Sequence, residues 1–311
     1  MKRRPLLQSL PSEPLMQLAP PRAIVSPKLV ALTLGAMVMF AGNSLLCRIA
    51  LKTTTIDAIN FTTIRILAGL VALLLIVNTQ RGRADKAVAG DWPGALILVG
   101  YAFAFSFAYV SLSAGTGALL LVGGTQLAMI GYGLWSGERL QTLQTVGLVL
   151  ALGGLAGLLL PGTSAPPLAG AGLMLTAGVA WGIYCLLGRG GPDPSQVNAG
   201  NFMRALPLAA FLSVVTLPWA SIDAMGFMYA AVSGALTSGV GYVIWYTALR
   251  DMKAVSASVV QLSVPILAAL GGVIFLAEPI TLRLFLASLA TLSGIAFVIF
   301  FGRSVRIPGT L

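Results

Sequence analysis

The residues able to do chemistry in this chain are few, and their kinds are unusual. It has no histidine, so imidazole acid–base catalysis and imidazole metal sites are closed to it. Its nine acids are Glu13, Asp57, Asp85, Asp91, Glu138, Asp193, Asp223, Asp251 and Glu278, all in the N-terminal tail, between apolar runs or at their ends. Cys47 and Cys185 each lie alone inside an apolar run and read as small hydrophobes. Two cations, Arg65 and Arg204, stand well inside apolar runs, where a charge is costly and marks function by default. Because the two occupy corresponding places, they read as structural or gating residues that cap a neighbouring helix or reach an interface. Aromatics recur at helical spacing: Tyr242, Trp245 and Tyr246 at i, i+3, i+4; Trp181 and Tyr184; Tyr101, Phe105 and Tyr109. Such faces stack on a flat apolar ligand or hold an ammonium group, or else pack helices together. Asn43, Gln126 and Gln261 place amides in apolar surroundings, either to read a ligand or to bond helix to helix. Pro265 removes the hydrogen bond to the carbonyl of Gln261, which frees a ligand for a cation or simply kinks the helix. No paired catalytic set and no metal-ligand cluster emerges, so we expect no enzyme, no cofactor and no metal.

The elements that carry these residues follow from composition. Of 311 residues, 57% are hydrophobic and only 9% are charged, against about a quarter in a soluble domain. The mean hydropathy of +0.92 rules out intrinsic disorder and points to an all-α integral membrane protein. Ten apolar runs are long enough to span a bilayer: Leu29–Leu51, Ile56–Val77, Trp92–Ser113, Thr116–Ser136, Thr142–Leu160, Leu168–Leu187, Asn198–Leu217, Gly226–Leu249, Ala254–Ala277 and Thr281–Phe301. Residues 1–28, rich in proline, read as a flexible cytoplasmic tail. The net charge of +10 does not signal nucleic acid. Most Lys and Arg fall on one side of a ten-span topology, which places both termini in the cytoplasm.

The chain also resembles itself. At an offset of 140, Ala108 falls on Ala248, Gly131 on Gly271, Glu138 on Glu278 and Gly154 on Gly294, while Arg48 matches Arg189 and Arg65 matches Arg204 within one residue of that offset. The spacing predicts a first five-helix repeat over 29–162 and a second over 163–311. An odd number of spans turns the second copy upside down, an arrangement secondary transporters use with a central midplane site. A receptor or scaffold built by duplication is the competing reading. The GxxxG pairs Gly133/Gly137, Gly153/Gly157 and Gly178/Gly182 are expected to let helices approach closely.

The arginine early in the second helix of each repeat (Thr63-Ile64-Arg65, Phe202-Met203-Arg204) and the Gly137-Glu138 and Ala277-Glu278 steps closing the fourth helices carry a family likeness. The chain resembles the drug/metabolite transporter superfamily, EamA-type, and within it the exporters of aromatic and other neutral amino acids. In that family a proline commonly sits mid-helix in the fourth span; Pro265 supplies it once, and Thr125 stands at the matching place in the first repeat. The resemblance implies a secondary transporter in a bacterial inner membrane, functional as a monomer, whose partners are the lipid bilayer and a small-molecule substrate. Amines, purines and sugar phosphates are the alternative cargoes. The expected substrate-binding residues are Asn43, Tyr101, Phe105, Gln126, Trp181, Tyr184, Tyr242, Trp245, Tyr246 and Gln261, with Arg65, Arg204, Pro265, Glu138 and Glu278 in structural or gating roles. Lacking histidine and a midplane carboxylate, it is expected to run by facilitated diffusion or export down a gradient, without proton antiport.

Overall fold

The computed structural model describes residues 26–80, 89–137, 139–188, 193–250 and 260–301. These form α1 (Pro27–Thr53), α2 (Ala58–Gln80), α3 (Trp92–Ser111), α4 (Ala114–Trp135), α5 (Thr142–Leu159), α6 (Leu168–Leu187), α7 (Pro194–Val215), α8, α9 (Ser263–Leu276) and α10 (Leu282–Phe300). Helix α8 is continuous but changes pitch: Ala224–Val232 and Gly241–Arg250 are α-helical, and Ser233–Val240 between them is a π-helix. The tail over 1–25 and Glu138 lie outside the described residues. Among the described residues there is no strand, and eight helices are long and apolar enough to cross a membrane. The chain is a multi-pass membrane protein.

Local chemistry fixes where each helix starts. Asp57, Asp91, Asp193 and Asp223 each accept backbone N–H groups from the first turn of α2, α3, α7 and α8 respectively, and Ser26, Ser113 and Thr281 do the same for α1, α4 and α10. A carboxylate there also meets the positive end of the helix dipole. Four of the five described acids are thus helix caps, which explains why acids fall between apolar runs.

Loops after odd-numbered helices gather at one end of the bundle, which we call the odd-loop end. Asp57 receives the Ser221 N–H at 2.9 Å, joining the α1–α2 and α7–α8 loops. Arg283 reaches the carbonyls of Leu160 and Pro161, joining the α9–α10 and α5–α6 loops. The even-loop end holds the opposite turns, where Asp91 N–H donates to Asn201 at 3.0 Å.

The principal helix pairings are α5 with α10, α4 with α6 and α9, α3 with α6 and α7, α2 with α7 and α8, and α1 with α8 and α9. The outer faces are apolar: Leu34, Leu75, Val149, Ile274, Leu282 and Leu289 are exposed, as lipid-facing side chains must be. The tryptophans divide. Trp92, Trp135 and Trp219 are exposed at helix ends, in keeping with interfacial belts, whereas Trp181 and Trp245 are buried.

Close approach occurs at one of the expected glycine pairs. A Cβ on Gly178 would strike the Leu121 carbonyl of α4, and one on Gly182 would lie 2.8 Å from the Ala128 Cβ. Gly153 and Gly157 face open space, and Gly137 has a left-handed φ of 91° in a turn, so these do not join helices. Helix α5 meets α10 through Gly147 and Gly154 instead.

Candidate functional site

Helix α6 carries the centre of the site. Trp181 is 8% exposed and makes four aromatic contacts: Tyr101 of α3 and Tyr242 of α8 at 5.1 Å between ring centroids, Tyr184 one turn on at 5.7 Å, and Phe40 of α1 at 6.2 Å. Tyr101 continues to Phe105 at 5.5 Å, and Phe105 to Tyr109 at 4.8 Å. Rings from four helices therefore enclose a deep cavity of about 40 Å³, which Phe40, Asn43, Tyr101, Phe105, Thr125, Trp181, Tyr242 and Gln261 help to line. The lining is aromatic with a few amides and hydroxyls, the composition of a site for a flat, partly polar molecule.

The amides are placed differently from one another. Asn43 Oδ1 accepts from Ser233 at 2.8 Å and Thr237 at 3.2 Å, tying α1 to the π-helical segment, so its oxygen is already committed within the fold. Gln261 lines the deep cavity from the chain just before α9. Gln126 is buried in α4 but is not among the lining residues. Thr125, one residue earlier, lines the cavity and donates to the Gly178 carbonyl across the α4–α6 contact at 3.1 Å. Pro265 is the third residue of α9; residues 260–261 before it are helical, and the interruption falls at Leu262, whose backbone stays in the right-handed helical region.

The face Tyr242-Trp245-Tyr246 also separates. Tyr242 belongs to the deep cavity, whereas Trp245 packs with Met37, Ala118 and Val264 in a secondary core and lines no described cavity. Tyr246 lines a second cavity of about 220 Å³ at the even-loop end, with Asp91, Tyr184, Asn198 and Asn201. Tyr184 donates to Asn198 at 2.7 Å and accepts from Asn201 at 3.1 Å, and its ring stacks on Trp181. The Trp181–Tyr184 pair therefore separates an outer polar vestibule from the inner aromatic cavity.

The odd-loop end is cross-linked by ion pairs beside a surface cavity of about 360 Å³ that Arg48, Lys52, Ser113 and Glu278 help to line. Glu278 accepts Arg48 Nε at 2.9 Å and the N–H of Ala114, at the start of α4, at 2.8 Å, with Lys52 at 3.8 Å. Arg48 also donates to the carbonyls of Tyr109 and Val110, at the end of α3. Glu278 is therefore paired and buried, and ties the α9–α10 turn to α1, α3 and α4. Arg204 donates to the carbonyls of Ala89 and Gly200 at the even-loop end. Arg65 reaches neither a helix end nor an interface: it is 3% exposed, donates to Ala102 in mid-α3 at 3.2 Å, and lies over the rings of Phe105 and Tyr101 at 5.1 and 5.9 Å.

Phe40 and Phe202 were missed from sequence although both join the ring cluster. The signal for Phe40 was its spacing from Asn43 and Cys47, which places all three on one face of α1.

Known proteins share this architecture. The EamA-like transporter family profile matches residues 168–300. An uncharacterized protein of Pseudomonas aeruginosa, PA1977, is 52% identical over 277 residues, covering 88% of this chain and 96% of that one. Two uncharacterized transporters match more distantly: one of Archaeoglobus fulgidus at 28% identity, covering 61% of this chain and 69% of that one, and YoaV of Bacillus subtilis at 29%, covering 51% and 57%. A solved crystal structure, 17% identical, superposes with a TM-score of 0.64 over 89% of this chain and 99% of that one, a likeness of fold. A family profile spanning α6 to α10 and relatives bearing the transporter name lead to one assignment: the chain carries an EamA-like transporter family domain over residues 168–300.

Proposed function

We infer that the protein is a secondary transporter for aromatic and other neutral amino acids, exporting them or letting them diffuse down a gradient across a bacterial inner membrane. The observation that carries this reading is the enclosed aromatic cavity around Trp181, reached from the even-loop vestibule through Tyr184. Flat apolar side chains gain stacking there, while Gln261 and Thr125 offer polar groups to the rest of the ligand.

Two inverted five-helix repeats are part of the proposal, and the helix pairings support it. Exchanging α1–α5 with α6–α10 turns α4–α6 into α9–α1, α3–α6 into α8–α1 and α2–α8 into α7–α3, all of which occur. The pairs α5–α10, α4–α9 and α2–α7 map onto themselves. Alternating access then means that the repeats rock about the central cavity, with the Glu278–Arg48 network parting when the vestibule closes. On the positive-inside bias the even-loop end faces the cytoplasm and the ion-paired odd-loop end faces outward. A monomer in the bilayer suffices for this cycle.

Flux of radiolabelled phenylalanine, tyrosine and leucine into proteoliposomes tests the reading. Saturable, mutually competitive uptake that falls at least about tenfold in Trp181→Ala and Tyr242→Ala is expected. No saturable flux of any neutral amino acid overturns the substrate class, and uphill accumulation driven by a pH gradient alone overturns the uncoupled mechanism.

A further inference from the structure

We propose that Arg65 is the carboxylate-binding residue of the deep cavity, so that the substrate class is restricted to aromatic and apolar molecules bearing a carboxylate. This rests on the reading of that cavity as the transport site. Among the described residues, Arg65 Nη1 is the one buried side-chain nitrogen or oxygen without a hydrogen-bond partner. The guanidinium donates from Nη2 to the Ala102 carbonyl. Its remaining support is the faces of Tyr101 and Phe105, the same rings that line the cavity.

Comparison with the half-buried arginines Arg48, Arg204 and Arg283 sharpens the point. Arg48 has a carboxylate and two carbonyls, Arg204 two carbonyls, and Arg283 two carbonyls. Arg65, the deepest of them, has the least. No acid is available to it: the described carboxylates are at the two ends of the bundle, four capping helices and the fifth held by Arg48. A guanidinium buried among apolar groups with an open N–H edge is unfavourable in the empty protein, and a fork of N–H donors is matched by the two oxygens of a carboxylate. Arg65 does not itself line the cavity of about 40 Å³ but lies behind two of its rings, so contact with a carboxylate requires Tyr101 and Phe105 to part as the ligand enters. A phosphate would leave oxygens unpaired against aromatic walls, which favours the carboxylate.

The runner-up cargoes then separate by charge. Amines without a carboxylate would meet Arg65 as a like charge in a poorly screened site and be rejected. Amino acids present the anion that Arg65 lacks and the flat or apolar body that the rings accept.

The test measures ligand-induced rise in the melting temperature of the purified protein, together with competition for phenylalanine flux in proteoliposomes. The ligands are phenylalanine, 3-phenylpropanoate (carboxylate, no ammonium), phenethylamine (ammonium, no carboxylate) and phenyl phosphate. Phenylalanine and 3-phenylpropanoate are expected to stabilise and compete in the wild type, and phenethylamine to do neither. Arg65→Gln should weaken the two carboxylates by about 10- to 100-fold, the loss expected for a charge-assisted bond, while Trp181→Ala weakens every ligand. Should Arg65→Gln fail to fold, Arg65→Lys and the wild-type ranking decide. Phenethylamine equal to phenylalanine, phenyl phosphate tighter than 3-phenylpropanoate, or Arg65→Gln within twofold of wild type for phenylalanine each overturns the assignment while leaving the transport reading standing. No response to any ligand and no flux overturns both.

Discussion

Glu278 shows how much one side chain can hold at the residue scale. It accepts from Arg48 and from the N–H of Ala114 and is 8% exposed, so Glu278→Gln leaves a nearly buried guanidinium uncompensated. The expected cost is about 3 kcal/mol, read as a lower melting temperature in detergent. A cysteine placed at Ser113, beside the network, should react faster with an impermeant maleimide in that background, because the odd-loop end opens more often. Asp57 supplies the pH-dependent case. Burial opposes its ionisation, but hydrogen bonds from Asn60, Ser221 and Ile59 outweigh burial and hold its carboxyl below the ordinary value of 3.8. Its pKa is thus lower folded than unfolded, so its bonds contribute fully above pH 3.8 and are lost as the pH falls below that value. Asp57→Asn should cost about 1–2 kcal/mol near neutral pH and flatten the acid limb of the stability curve. Acids at run ends were legible in the sequence. Their partners were not, because Asp57 and Ser221, like Arg48 and Glu278, meet only through packing of distant helices.

At the scale of the element, α6 against α4 sets the position of Trp181. The carbonyl of Leu121 occupies the space that a Cβ on Gly178 would need, and that carbonyl cannot swing aside as a side chain could. Gly178→Ala is expected to push α4 from α6, destabilise by about 1–3 kcal/mol and lower flux, whereas Gly153→Ala, whose Cβ would meet nothing within 4 Å, should leave both melting temperature and flux unchanged. Hydropathy found every helix, since apolar length is a local property. It could not distinguish which glycine pair is a contact, because GxxxG spacing is the same on a lipid-facing and a helix-facing stripe. The π-helical stretch Ser233–Val240 was equally hidden. Its small residues carry no periodicity of their own, and its pitch goes with neighbours: Asn43 holds Ser233 and Thr237, and the backbone of α2 at Arg65 abuts Gly234. The ninth span carries its interruption at Leu262, between the helical residues 260–261 and α9, three residues before Pro265.

At the scale of the whole molecule the two ends of the bundle differ in what they carry. At the odd-loop end, carboxylates and guanidinium groups cross-link turns. At the even-loop end a vestibule of hydroxyls, amides and the Asp91 carboxylate adjoins the aromatic rings. This division could not be read from composition, because both ends contribute similar polar residues to the sequence. The aromatic faces were legible as faces, yet only the fold sorted Tyr242 into the cavity, Tyr246 into the vestibule and Trp245 into the core.

The aspartate caps have an electrical consequence. Asp57, Asp91, Asp193 and Asp223 are each fastened to a helix start, at the bundle's ends. On the proposed rocking of the repeats, a carrier whose described negative charges stay at its ends has little gating charge to move through the membrane field. A zwitterion adds no net charge of its own. Each turnover should therefore be silent to an electrode: phenylalanine flux in proteoliposomes is expected to stay constant, within about twofold, when a potassium diffusion potential of either sign is imposed with valinomycin.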